Sequence, residues 1–219
     1  MKTAVLLAGL LGPVGLQDET AQALLGRLSE RMKDARTLSA RVVQSRKTEL
    51  LDTPIVSAGT LYYRRDPGHL VFRMTEPRAT EIHLDATRYQ VYRPDEKRLE
   101  QIDFENGDAA GRLLMVFQPK ADDVGKAFSL TRGESRPGEL AIVLTPSEEK
   151  IRKRVSKIVL WMSDPEATLR RIQTVDAEGD EVTFDLSDLR INPEIEPATF
   201  ELKVPEGTRV LKHRAKLDR

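Results

Sequence analysis

From Thr20 to Leu38 the apolar residues Leu24, Leu25, Leu28, Met32 and Ala35 recur every three or four positions, with Arg27, Glu30, Arg31, Lys33 and Asp34 between them. That spacing predicts an amphipathic helix over 20–38, whose single apolar stripe must lie on something larger. After it the period drops to two. Ala40–Lys47, Ser57–Arg65, His69–Thr75, Ala79–Leu84, Arg88–Tyr92 and Arg98–Phe104 read as strands, separated by turns such as Asp66-Pro67-Gly68, Glu76-Pro77 and Pro94-Asp95-Glu96-Lys97. Connections this short pair strands antiparallel, because a parallel pair needs a crossover of roughly a dozen residues.

The alternation stops in the middle of the chain. Asp108–Phe117 predicts a helix with Asp108 as N-cap and an apolar cluster of Leu113, Leu114, Val116 and Phe117, ended by Pro119. Ala121–Phe128 predicts a second short helix. Strands resume at Phe128–Thr131, Leu140–Thr145, Val155–Met162, Thr168–Val175 and Glu181–Leu189. Arg209–Arg219 reads as a loose basic tail. There is no internal repeat and no low-complexity linker, so residues 21–212 read as a single domain and 213–219 as the tail.

The fold class is therefore α+β, mainly β. About ten antiparallel strands and two or three short helices imply a strongly curved sheet whose inner face the helices cover. The candidate lining of that apolar concavity is Leu61, Tyr63, Leu70, Phe72, Ile82, Leu84, Tyr89, Val91, Ile142, Leu144, Ile158, Leu160, Phe184 and Leu186, with Leu113, Leu114 and Phe117 from the middle helix. Pattern alone leaves open which of the strand residues face inward.

Composition narrows the function. Among 219 residues Lys+Arg and Asp+Glu both number 35, so no bulk field recruits nucleic acid. With no cysteine there is no thiol chemistry, disulfide or lipid attachment to an N-terminal Cys. Met1–Leu16 has the order of an export leader, taken to occupy residues 1–20: Lys2, then the apolar run Ala4–Leu11, then small residues. No stretch approaches the roughly 20 apolar residues that span a bilayer.

Catalytic signatures are missing. His69, His83 and His213 stand in no metal-ligand spacing, and there is no GxSxG elbow, Walker loop or strand-linked GxGxxG. No metal, no cofactor and no catalytic residue is assigned, and the chain does not read as an enzyme. Lys150–Lys157 (KIRKRVSK) is the sharpest basic cluster, either a contact for anionic headgroups or an acidic partner, or a solvated hairpin end. Arg64-Arg65 is more informative, since strand alternation sends one of the two toward the inner face.

These residues also carry a resemblance. Gly59-Thr60-Leu61-Tyr62-Tyr63-Arg64-Arg65-Asp66-Pro67, then Phe72-Arg73-Met74-Thr75-Glu76-Pro77, then Asp85–Pro94 follow one family order. Leu144-Thr145-Pro146, Lys157–Met162, Thr174-Val175-Asp176 with Gly179, Ile191-Asn192, Ile195, Phe200 and Val204-Pro205-Glu206-Gly207 continue it. Over residues 20 to 212 the chain resembles the periplasmic outer-membrane lipoprotein carrier (LolA-like) family, as a diverged member. The resemblance implies an unclosed antiparallel β-barrel capped by short helices around an apolar cavity. It also implies acyl chains of lipoproteins, or other lipid, as cargo. An inner-membrane ATP-driven exporter would supply that cargo, an outer-membrane acceptor would receive it, and the carrier would be monomeric. The family's lid-holding arginine matches Arg65. Asp66, inserted before Pro67, leaves Arg64 as the alternative, and Asp85-Ala86 stands where the family has Asp-Gly. A lipid-sensing or partner-binding module on the same fold is the other reading.

Overall fold

The computed structural model describes residues 19–49, 52–104, 117, 121–153 and 155–215. These form helix α1 (Ala21–Met32), strands β1 (Thr37–Lys47), β2 (Ile55–Arg64), β3 (His69–Glu76), β4 (Thr80–Asp85), β5 (Arg88–Arg93) and β6 (Arg98–Phe104), and helix α2 (Ala121–Ala127). Strands β7 (Phe128–Arg132) and β8 (Glu139–Pro146), a one-turn helix α3 (Glu149–Arg152), and strands β9 (Val155–Ser163), β10 (Leu169–Asp176), β11 (Glu181–Ile191) and β12 (Arg209–Ala215) follow. Short 3-10 turns occupy Pro94–Glu96 and Pro197–Phe200.

One sheet holds all twelve strands in the order β12-β6-β5-β4-β3-β2-β1-β11-β10-β9-β8-β7, with β12 and β7 at its two open edges. It is an unclosed, curved and almost wholly antiparallel sheet carrying short helices. Short connections account for the antiparallel pairs between consecutive strands, while β1 and β11 pair antiparallel across the length of the chain. The exception is β12, which returns along a crossover and pairs parallel with β6, Arg209 opposite Arg98. The basic tail expected from Arg209 is thus an edge strand as far as Ala215. Its cations suit an edge that must not template further pairing.

Helix α1 starts where Thr20 accepts a hydrogen bond from the Ala23 amide at 3.2 Å through its hydroxyl. It stops six residues short of the predicted Leu38. Thr37 and Leu38 are drawn into β1 opposite Arg64 and Tyr63, and strand pairing overrides a helical period that Ala35 and Leu38 also satisfied. The middle helix predicted over 108–117, with Leu113 and Leu114, lies outside the described residues apart from Phe117, as do residues 1–18 of the leader expected over 1–20. Among the described residues no helix is long and apolar enough to cross a membrane.

Candidate functional site: the covered inner face

Register puts the candidate strand residues on a single face. Leu61 pairs with Phe72 and Tyr63 with Leu70, Phe72 with Ile82 and Leu70 with Leu84, and Ile82 with Val91 and Leu84 with Tyr89. In the other direction Val42 pairs with Leu186, Ile172 with Phe184 and with Leu160, Leu160 with Ile142, and Ile158 with Leu144. Directly opposed residues share a face, so this chain of pairs runs unbroken from β5 to β8.

Helix α1 lies on that face. Leu24 and Leu25 are wholly buried, and with Leu28 and Met32 they belong to the same apolar cluster as Leu61, Tyr63, Leu70, Phe72, Leu84, Ile142, Leu144, Ile158, Leu160 and Leu186. Phe117 joins it, stacked on Tyr63 with centroids 5.8 Å apart. Ile82, Tyr89 and Phe184 are half-buried at the cluster's margin, with Phe184 stacked on Phe72 at 5.3 Å. Val91 is buried on the same face but outside the cluster. Burial raises the pKa of both Tyr63 and Tyr89 above that of a free phenol, so both face the interior as neutral groups. Among the described residues, therefore, the concavity read from the sequence is a continuous apolar face on which the leucines of α1 rest. A groove of about 420 Å³ exists on the opposite, outer face instead, lined by polar residues including Arg41, Tyr62, Asp188, Arg190 and Glu196. Its lining shares nothing with the candidate residues.

The two arginines part company as alternation requires. Arg65 continues the inward row of Leu61 and Tyr63. Its Nη1 donates to the Lys33 carbonyl at 2.7 Å and its Nη2 to the Met32 carbonyl at 3.0 Å. These are last-turn carbonyls of α1, groups that a helix cannot satisfy itself and that favour a cation. The ladder also runs on, the Arg65 amide donating to the Arg36 carbonyl at 2.8 Å. Arg64 turns to the outer face, its guanidinium 4.5 Å from the centroid of the Phe200 ring. Arg65, not Arg64, touches the helix.

Three further groups tie α1 down that pattern reading did not single out. Asn192, at the end of β11 and in the left-handed region at φ 57°, accepts from the Arg36 amide at 2.6 Å and donates to the Asp34 carbonyl at 3.1 Å. At the middle of the helix Arg27 donates to Asp164 at 2.9 Å and to the Pro165 carbonyl at 2.7 Å, both in the β9–β10 turn. Arg132 of β7 donates to the Glu19 carbonyl at 3.0 Å. Only Asn192 carried a signal, as part of the Ile191-Asn192 pair in the family order.

The outer face holds a histidine pair. Nε2 of His69 and Nδ1 of His83 are 3.1 Å apart, and the far nitrogen of His83 is 3.0 Å from Glu81. Arg73 donates to Glu81 and to the Thr199 carbonyl, and His69 packs on Phe200 at 5.5 Å. Burial, reinforced by the charges of His83 and Arg64, holds His69 down to a pKa of about 4. The nitrogens face one another, and this cluster fixes the crossover segment through Thr199 and Phe200. The basic run at 150–157 falls across α3 and the start of β9, with Arg152, Lys153 and Lys157 exposed. Arg152 donates back to the carbonyls of Pro146 and Ser147.

Fold and face together define a class: an unclosed β half-barrel with one apolar side sheltered by a helix. The chain belongs to the LolA family, the outer membrane lipoprotein carrier proteins, whose family model matches residues 33–203. Helix α1 and strand β12 lie outside the matched span. No curated protein matches the chain in sequence. Among solved structures it is similar to an uncharacterized conserved protein of Thermus thermophilus, at 10% identity and TM-score 0.53 over 88% of this chain and 99% of that one. It is also similar to a LolA superfamily protein of Nitrosomonas europaea (13%, TM-score 0.43, covering 84% and 98%). A further likeness is to the Mycobacterium tuberculosis lipoprotein LppX (12%, TM-score 0.46, covering 80% and 97%). Identities this low bear on the fold alone.

Proposed function

We propose that the protein is an exported, periplasmic carrier that holds the acyl chains of lipoproteins, or of other lipids, against its inner face with α1 displaced. The carrying observation is the apolar row running from β5 to β8 beneath a helix that rests on it through its own leucines and is tied down by a few polar side chains. Family membership supports lipoprotein as the cargo, and the proposed route runs from an inner-membrane ATP-driven exporter to an outer-membrane acceptor. The physical need is plain. Exposing one acyl chain to water costs on the order of ten kcal/mol, so a lipid-modified protein crosses an aqueous gap only when shielded. Aliphatic contacts suit the task because they are non-directional and grip many poses. In this reading Arg65 steadies the cap over the empty face, and the protein binds without turning its cargo over.

Native mass spectrometry of the protein purified from its own envelope tests this. Acyl-bearing species bound to the chain, exchangeable for a hydrophobic dye, are expected. Protein that is free of lipid and takes up no dye would overturn the proposal. A stoichiometric protein partner with slow lipid exchange would favour the sensing or partner-binding reading instead.

A further inference from the structure

Helix α1 is tied at its two ends in different ways. At its C-terminal end only residues 33–36 separate it from β1. That short turn is gripped from two sides at once, by Arg65 just after β2 and by Asn192 just after β11. The Asn192 amide in turn donates to the Thr37 carbonyl at 2.9 Å. This end cannot leave the sheet without tearing strand pairing.

Toward its N-terminal end the helix is held otherwise, from Arg27 at its middle and from Arg132, which donates to the carbonyl of Glu19 just before it at 3.0 Å. Arg27 is 30% exposed and bridges Glu19 at 2.8 Å and Asp164 at 2.9 Å, the latter 46% exposed. The turn that receives it is firm: the Asp164 amide donates to the Gly138 carbonyl at 3.0 Å and the Ala167 amide to the Ser163 carbonyl at 2.9 Å. A solvent-reachable ion pair on a rigid turn can break, together with the Arg27 bond to the Pro165 carbonyl, and re-form without disturbing strand pairing.

We infer that Arg27 and Asp164 are the catch of the cap and that Asn192 fixes its pivot, so that α1 opens by swinging its N-terminal end away from the β9–β10 turn. All three are positioning residues acting on the helix. The inference rests on the carrier reading for its purpose, but the motion is measurable with no cargo present. Opening from this end uncovers the β8–β10 side of the apolar face first, beneath Leu24, Leu25 and Leu28, while Met32 stays seated beside the Arg65 contact.

The test is amide hydrogen exchange on the whole protein without ligand. With Asp164→Ala, exchange of the Leu24–Leu28 amides is expected to rise roughly two- to fivefold while that of the Ala35–Thr37 amides stays unchanged. The double exchange Arg27→Asp with Asp164→Arg should restore protection, an outcome that mere loss of packing would not produce. Asn192→Ala should raise exchange at Ala35–Thr37 instead. An equal rise along the whole helix in Asp164→Ala, or no rise at Leu24–Leu28, would overturn the inference. Dye uptake by the same variants separates the two ideas. Localised opening without uptake refutes the carrier and leaves the catch standing, whereas uptake that rises without localised opening refutes the catch alone.

Discussion

Replacing Arg65 by Leu removes two charge-assisted hydrogen bonds to the last turn of α1 and leaves the Met32 and Lys33 carbonyls without that donor. Each such bond contributes about 1 kcal/mol where water still reaches the helix end, and a cation at a helix C-terminus adds some 0.3–1 kcal/mol. The closed form should therefore lose about 2 to 3 kcal/mol relative to the open one, a shift of roughly 30- to 150-fold in their ratio. A ligand that binds only the open form then binds more tightly by up to that factor, because it no longer has to populate a rare state first. Equilibrium titration with a hydrophobic dye reads this directly. Arg65→Lys should fall between the two, since an ammonium cannot span both carbonyls as the planar fork does. Arg64→Leu should leave dye affinity within about twofold, its side chain lying on the outer face over Phe200. Unchanged affinity in Arg65→Leu together with a change in Arg64→Leu would refute the assignment.

Two further outcomes test the outer face and the sheet. His69 is held near pKa 4, below the 6.5 of a free imidazole, so its neutral form stabilises the fold fully above pH 6.5, and that contribution is lost as pH falls through 4. Allowing for solvent at a ring only half buried, the loss is about 1–2 kcal/mol, and His69→Gln should flatten the fall of the thermal midpoint between pH 6.5 and 4. An identical pH profile in the variant would count against a neutral His69 in the folded state. At Gly59 an added Cβ would stand 2.6 Å from the Met74 Cα and closer still to the Arg73 carbonyl oxygen. Backbone cannot yield as a flexible side chain does, so Gly59→Ala should cost about 3 kcal/mol, and a loss below about 1 kcal/mol by denaturant titration would show that the strands have room to part.

Much of this architecture was legible because it is written in period two. The hairpins from β2 to β6 and from β7 to β11 declare themselves by alternation between tight turns, and the outer and inner rows follow once the register is known. What stayed hidden depends on distance along the chain. Strand β12 reads Arg-Val-Leu-Lys-His-Arg-Ala, too rich in cations to look like part of a sheet, and it is a strand only because the crossover returns it to β6. The contact between Arg27 and Asp164 joins positions 137 residues apart. On a solvated helix face an arginine that holds a turn looks like any other. Alternation could say that Arg64 and Arg65 point opposite ways but not which one points inward, since that follows from the pairing of Tyr63 with Leu38.

Helix and cargo compete for the same surface, and the magnitudes are close. Lifting Leu24, Leu25, Leu28 and Met32 off the sheet forfeits about 2 kcal/mol each, or about 8 kcal/mol together. An acyl chain of about 16 carbons gains about 12 kcal/mol on leaving water, and one of about 10 carbons about 8. A short chain therefore does no better than the helix it displaces, and only longer chains win, by a margin no larger than the polar ties at Arg65 and Arg27 can modulate. That near-balance is what a carrier needs, since a face that bound its cargo by the full burial energy would not release it. Binding should consequently set in between about 10 and 14 carbons in a series of fatty acids, accompanied at the same length by faster amide exchange in α1. Affinity that climbs steadily from the shortest chains while α1 remains protected would mean that lipid enters somewhere other than beneath the helix.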